Sequence, residues 1–175
     1  QQTTTETNVR IYNSWFPTIN LSYEMENSGS FQLGYSRRIR RPRSYFINPF
    51  PSRSSVTNIF QGNPYLDPTF SNALDLGYLK RWKKFTFNSS VYYQKSNRVF
   101  TFIAEDTGET VFLNQDPDNP LSTGVELPVI RRTPINLAEN IRWGTEFNLS
   151  FFPSRKIRFN GNFNFFNSET IGDYD

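Results

Sequence analysis

The 175-residue chain carries 19 Lys and Arg against 16 Asp and Glu, and its mean hydropathy is −0.61 although 17% of its residues are aromatic. It contains neither Cys nor His, which excludes disulfide staples, thiolate nucleophiles, Ser–His catalysis and imidazole metal sites. The net charge of +3 is mild and forms no long basic block, so nucleic acid is not an expected partner, and no stretch reaches the ~20 apolar residues of a membrane helix.

The opening QQTTTETNVR lacks the apolar run of a signal peptide, so an exported chain would take its signal from a longer precursor. Period-two patterning begins at Ile19, with Leu21, Tyr23 and Met25 on one side and Asn20, Ser22 and Glu24 on the other, the mark of a strand with one apolar face. A short turn over 26–30 leads to a second strand, Phe31, Leu33 and Tyr35 against Gln32, Gly34 and Ser36. Residues 37–69 hold Pro42, Pro49, Pro51, Pro64 and Pro68, and read mostly as loop because proline cannot donate within a central ladder. Strand pattern returns at Phe70, Asn72, Leu74, Leu76 and Tyr78. A charged turn over 80–84 follows, then Phe85, Phe87, Ser89, Val91 and Tyr93. A second long loop is expected over 103–134, which contains Gly108, Gly124 and Pro128. The clearest strand is Ile141, Trp143, Thr145, Phe147, Leu149 and Phe151. Pro153-Ser154-Arg155 reads as the last turn, before Ile157, Phe159, Gly161, Phe163 and Phe165.

Six strands thus alternate with three short turns and two long loops, and each strand approaches the ~9–11 residues that cross a bilayer when tilted. The alternation alone also suits a soluble β-sandwich. Sandwich strands usually run ~5–6 residues, and neither the strict alternation of short and long connections nor the aromatics gathered at strand ends is a sandwich feature. Both are features of outer-membrane barrels. The expected fold is all-β: an antiparallel up-and-down transmembrane β-barrel segment in the bacterial outer membrane. Its polar face lines a wet lumen and its apolar face meets lipid. The turns near Ser28, Lys83 and Ser154 would face the periplasm, and the odd residues of 141–151 should point outward rather than pack on a second sheet.

The run Phe16-Pro17 into Leu21-Ser22-Tyr23 resembles a strand start of the TonB-dependent receptors of Bacteroidetes. Leu33-Gly34-Tyr35-Ser36-Arg37-Arg38-Ile39-Arg40-Arg41-Pro42, Asn48-Pro49-Phe50, Gly62-Asn63-Pro64-Tyr65-Leu66-Asp67-Pro68 and Leu74-Asp75-Leu76-Gly77-Tyr78 follow in that family's order. The combination is shared with closely related outer-membrane β-barrel proteins, and the resemblance spans Phe16 to Tyr93. It implies a 22-stranded barrel with an N-terminal plug, of which residues 1–175 would be a partial barrel domain without plug or TonB-engaging segment. Six strands fall short of the ~8 that close the smallest bacterial barrel. The implied partners are outer-membrane lipid and lipopolysaccharide, the rest of the barrel and plug of the same polypeptide, TonB through the missing N-terminal part, and a small solute. The implied activity is energised import of that solute by binding, with no covalent chemistry and no cofactor. A non-transporting structural or adhesive barrel and a soluble carbohydrate-binding β-sandwich are the alternatives.

Candidate site residues are few. Parity carries Arg38 and Arg40 onto the lumen face of the second strand and Arg37 and Arg41 onto the lipid side. Arg38 and Arg40 are therefore the residues that would bind an anionic ligand or the plug through the guanidinium fork. The competing reading of the cluster is a solvated or lipopolysaccharide-facing rim, the commoner fate of exposed charge. Asp116-Pro117-Asp118-Asn119 suggests a calcium loop, but the positions that need Gly and Glu hold Leu121 and Leu127. Glu105, Asp106 and Glu109 offer paired carboxylates without the geometry of a glycosidase. No catalytic residue, metal ligand or enzyme activity is expected.

Overall fold

The computed structural model describes residue 9 and residues 11–26, 28–53, 55–113 and 124–172. Its elements are β1 Thr18–Met25, β2 Gly29–Arg40, α1 Ser44–Ile47, β3 Ser52–Arg53, β4 Asn58–Phe60, β5 Thr69–Arg81, β6 Phe85–Leu113, β7 Val125–Ser154 and β8 Ile157–Gly172. They form one sheet in the order β1-β2-β5-β6-β7-β4-β3, with β8 also paired to β7. The pairings β1–β2, β2–β5, β5–β6 and β7–β8 are antiparallel, and β4 joins β7 in parallel. The six long strands are the six expected. The two short ones and a single helical turn lie in the first segment read as loop. The fold is all-β, the wall of a barrel rather than a sandwich.

Two further expectations are corrected. Residues 103–134 are mostly strand: β6 runs on to Leu113 and β7 begins at Val125. Pro128 and Pro134 lie within β7, outside its registers with β4 (Ile130–Arg132) and with β8 (from Ala138 onward), so a missing N–H costs neither of those two ladders a bond. The last turn moves on by two residues: Pro153 and Ser154 belong to β7, and a register irregularity between Phe151 and Ser154 accommodates the proline.

The chain forms two compact units. The first comprises Tyr12–Arg40, Thr69–Val99 and Ala138–Asp175. Its registers bring like side chains together across strands. Leu21, Leu33, Leu76 and Val91 form one row over four strands. A rank of rings runs beside it: Phe31–Tyr78 at 4.9 Å, Tyr78–Phe87 at 6.2 Å, Phe87–Phe147 at 6.1 Å and Phe147–Phe163 at 6.4 Å. Each such pair contributes about 0.5–1.5 kcal/mol beyond area burial. A slip of one residue would send the whole rank to the polar side, so the aromatics pin the register as well as stabilise it. Nothing described in this unit covers the apolar face: Leu21 is 60% exposed, Val91 56% and Phe163 63%. Trp143, Leu149 and Phe151 are likewise exposed, as expected of the odd residues of 141–151. The face ends in charge, where Lys95 pairs with Glu139 at 2.8 Å and the Arg37 guanidinium lies 5.5 Å from the Phe70 ring centroid.

The second unit comprises Gln1–Ile11, Arg41–Pro68 and Phe100–Leu137. Here the proline-rich segment 41–68 is a folded strap and not an open loop. Leu66, Val129, Pro68 and Pro134 are fully buried, and Phe46 packs edge-on against Phe100 and Phe102. Asn136 exchanges two hydrogen bonds with the backbone of Asp67: the Asp67 N–H donates to its Oδ1 at 2.7 Å and its Nδ2 donates to the Asp67 carbonyl at 2.9 Å. Asn63 Nδ2 donates to the Pro134 carbonyl at 3.2 Å. Gly62 has room for no side chain, since a Cβ would lie 2.5 Å from the Asn48 carbonyl oxygen. Asn136→Ala removes the reciprocal pair and is expected to loosen the strap by about 1–3 kcal/mol, the cost of unmade buried hydrogen bonds. Limited trypsin digestion of the folded protein reads this directly, through faster cleavage after Arg43 and Arg53. Unchanged cleavage would mean that the strap is held elsewhere.

Candidate functional site

Alternation puts the remaining polar side chains of the first unit on one face, and antiparallel register lines them up. Asn20, Gly34, Asp75 and Tyr92 form one row across β1, β2, β5 and β6; Ser22, Gln32, Gly77 and Ser90 form the next. That face is hollowed. One depression of about 520 Å³ is lined by Asn20, Gln32, Asp75, Asn88, Glu146 and Asn148, among others. A second, of about 430 Å³, is lined by residues including Ser36, Arg38, Arg40, Asp75, Tyr92 and Gln94. Amides and hydroxyls that present donors and acceptors to open space suit a hydrated surface. Both hollows lie on the polar side, and the apolar side is the one left bare.

Arg38 and Arg40 stand two residues apart on β2, about 6.6 Å along a strand, and both line the second hollow. Arg38 is in register with Ser71, which is in register with Ser96. The two serine hydroxyls hydrogen-bond at 2.7 Å, and Gln94 Nε2 donates to Ser96 Oγ at 3.3 Å. The guanidinium groups are exposed above this fixed polar floor. Asp75, which lines both hollows, and Tyr92 escaped the sequence reading as neighbours of the arginines. The strand pairing was legible there, but the register was not.

The carboxylates considered for catalysis serve as struts in the second unit. Glu105 pairs with Arg131 at 3.1 Å and Glu109 with Arg53 at 3.4 Å, while Asp106 Oδ1 accepts the Gly108 N–H at 2.9 Å. The would-be calcium loop at Asp116–Asn119 lies outside the described residues. Among the described residues no cluster of three or more acidic side chains could hold a metal ion, and no helix is long and apolar enough to cross a membrane, a test that does not apply to strands.

A bare apolar face with a ring of aromatics, backed by a hollowed polar face, is the cross-section of a barrel wall in lipid. The model of the Outer membrane protein beta-barrel family matches residues 1–175. The chain belongs to that family. Its place is the outer membrane, and the bare face of this outer-membrane β-barrel protein is its lipid face. The wall has the fold of two solved receptors. It is similar to the siderophore receptor PirA from Pseudomonas aeruginosa, with a TM-score of 0.68 and 16% identity over 89% of this chain and 28% of that one. It is also similar to the siderophore receptor PirA from Acinetobacter baumannii, with a TM-score of 0.61 and 18% identity over 87% of this chain and 23% of that one. The chain therefore spans about a quarter of the length of either receptor. No curated protein matches it.

Proposed function

We propose that this outer-membrane β-barrel chain is part of the wall of a TonB-dependent receptor, and that the whole protein imports a scarce solute by binding and energised release without a covalent step. The observation that carries the reading is the polar face. Its hollows are lined by amides, hydroxyls, carboxylates and the Arg38 and Arg40 guanidinium groups, which suit a hydrated passage and a polar guest better than a dry core. The likeness in fold to two siderophore receptors supports it. On this reading the remaining strands, the plug and the TonB-engaging segment belong to the same polypeptide. The short turns face the periplasm. The long connections face outward among lipopolysaccharide, where the solute is captured. Arg38 and Arg40 bind an anionic group on the solute or on the plug.

The test is uptake of a carboxylate-bearing ferric siderophore by cells that produce the intact protein. Uptake should require TonB, and the double substitution Arg38→Ala/Arg40→Ala should lower it about tenfold or more, as loss of charge-assisted hydrogen bonds implies. Uptake indifferent to TonB would favour a structural or adhesive barrel. TonB-dependent uptake indifferent to the double substitution would remove the two arginines from the site and leave the transport reading standing.

A further inference from the structure

A second concentration of positive charge lies away from the arginines of β2, at the opposite ends of the strands. Lys83 and Lys84 sit in the turn between β5 and β6, Arg155 and Lys156 in the turn between β7 and β8, and Arg158 just inside β8. These five cations line one hollow of about 510 Å³ together with Phe152, Pro153, Ser154 and Ile157, and no carboxylate is among its described lining residues. The hollow is a built feature. The Phe152 N–H donates to the Lys84 carbonyl at 2.8 Å and Lys84 Nζ donates to the Pro153 carbonyl at 3.2 Å, so the two turns are tied together. The Arg158 guanidinium lies 4.7 Å from the Phe152 ring centroid. The fold gathers like charges from two separate turns, all exposed, without a compensating acid. Such an arrangement raises the local positive potential and favours an anion in the hollow.

The surroundings select the anion. Ile157 lines the hollow and is half exposed on the lipid side. Trp82, the residue before Lys83, packs on Phe85 at 5.4 Å, and Phe151 stacks on Phe159 at 6.4 Å. Amphipathic rings settle at the headgroup level of a bilayer, so the cations in the turns just beyond them stand near the depth of lipid phosphates. We propose that this hollow binds the phosphate headgroup of an anionic phospholipid in the leaflet at the short-turn end. The proposal needs only the membrane placement of the wall and is independent of solute import.

The intact protein, purified in mild detergent and equilibrated with mixed micelles of phosphatidylcholine and phosphatidylglycerol, is analysed for bound lipid by native mass spectrometry. Phosphatidylglycerol should be enriched about tenfold or more over phosphatidylcholine, given the attraction each surface cation adds. The substitutions Lys83→Gln, Lys84→Gln, Arg155→Gln and Lys156→Gln together should abolish the enrichment. The same change in net charge made at Arg37, Arg41, Arg43 and Arg53 should leave it intact. Heat-modifiable gel mobility confirms that each variant is folded. Should the first variant fail to fold, salt at about 0.5 M on the wild-type protein replaces it, because screening at that strength must remove the preference. Enrichment that survives the four substitutions, or the salt, overturns the proposal. So does the absence of any preference, or preferential capture of a poly-glutamate peptide, which would assign the hollow to an acidic protein.

Discussion

Replacing Leu76 by Arg should cost the folded barrel about 2–4 kcal/mol in lipid, the penalty for a cation at mid-membrane on the outer face of a β-barrel. Leu76 lies in the middle of the apolar row, in register with Leu33 on one side and Val91 on the other, and it is 48% exposed. In water that exposure would make the substitution nearly neutral. Ser90 is the informative partner. It is one residue along β6 from Val91, in register with Gly77, and it lines the polar hollow, so Ser90→Arg places the same charge at the same height on the wet side, where substitutions alter selectivity rather than stability. Denaturant titration of the intact protein in lipid vesicles should separate the two variants by most of the predicted penalty. Equal stability would mean that the apolar face does not meet lipid.

Gly144→Ala should destabilise the wall by about 1–3 kcal/mol, the range for overpacking a site with no slack, and Gly144→Val by more. A Cβ at this position would lie 2.6 Å from the Phe165 carbonyl oxygen, 2.7 Å from the Tyr92 hydroxyl and 2.8 Å from the Phe166 Cβ. The closest neighbour is backbone of the paired strand β8, which gives way only if the ladder shifts. Tyr92→Phe removes one of the three obstacles and leaves that carbonyl in place. The double variant should therefore recover only part of the loss in the same titration. Full recovery would show that the hydroxyl alone sets the limit.

The placement of the β2 arginines was partly legible. Period-two parity is a local property, so the shared face of Arg38 and Arg40 follows from the order of residues around Ser36. Asp75 and Tyr92 join them only through the registers of three strands, which depend on long-range pairing. The basic hollow shows the same division more sharply. Each turn reads as an ordinary charged connection, and only the long-range bonds of Lys84 to Phe152 and Pro153 bring the two sets of cations to one place.

Alternation of side chains determined the six long strands and their two faces, because a strand's period of two is written residue by residue; the membrane class followed only once the short and long connections and the aromatic strand ends were added. Composition excluded thiol and imidazole chemistry outright. The tertiary structure decided what proline statistics misjudged. Pro128 and Pro134 sit in a strand outside its registers with β4 and β8, where a missing N–H costs neither of those ladders a bond. Residues 41–68 fold as a strap because Asn136, Asn63 and a side-chain-free Gly62 let it close on β7. These outcomes depend on which partner a backbone group meets across many residues of chain, information that no local pattern carries.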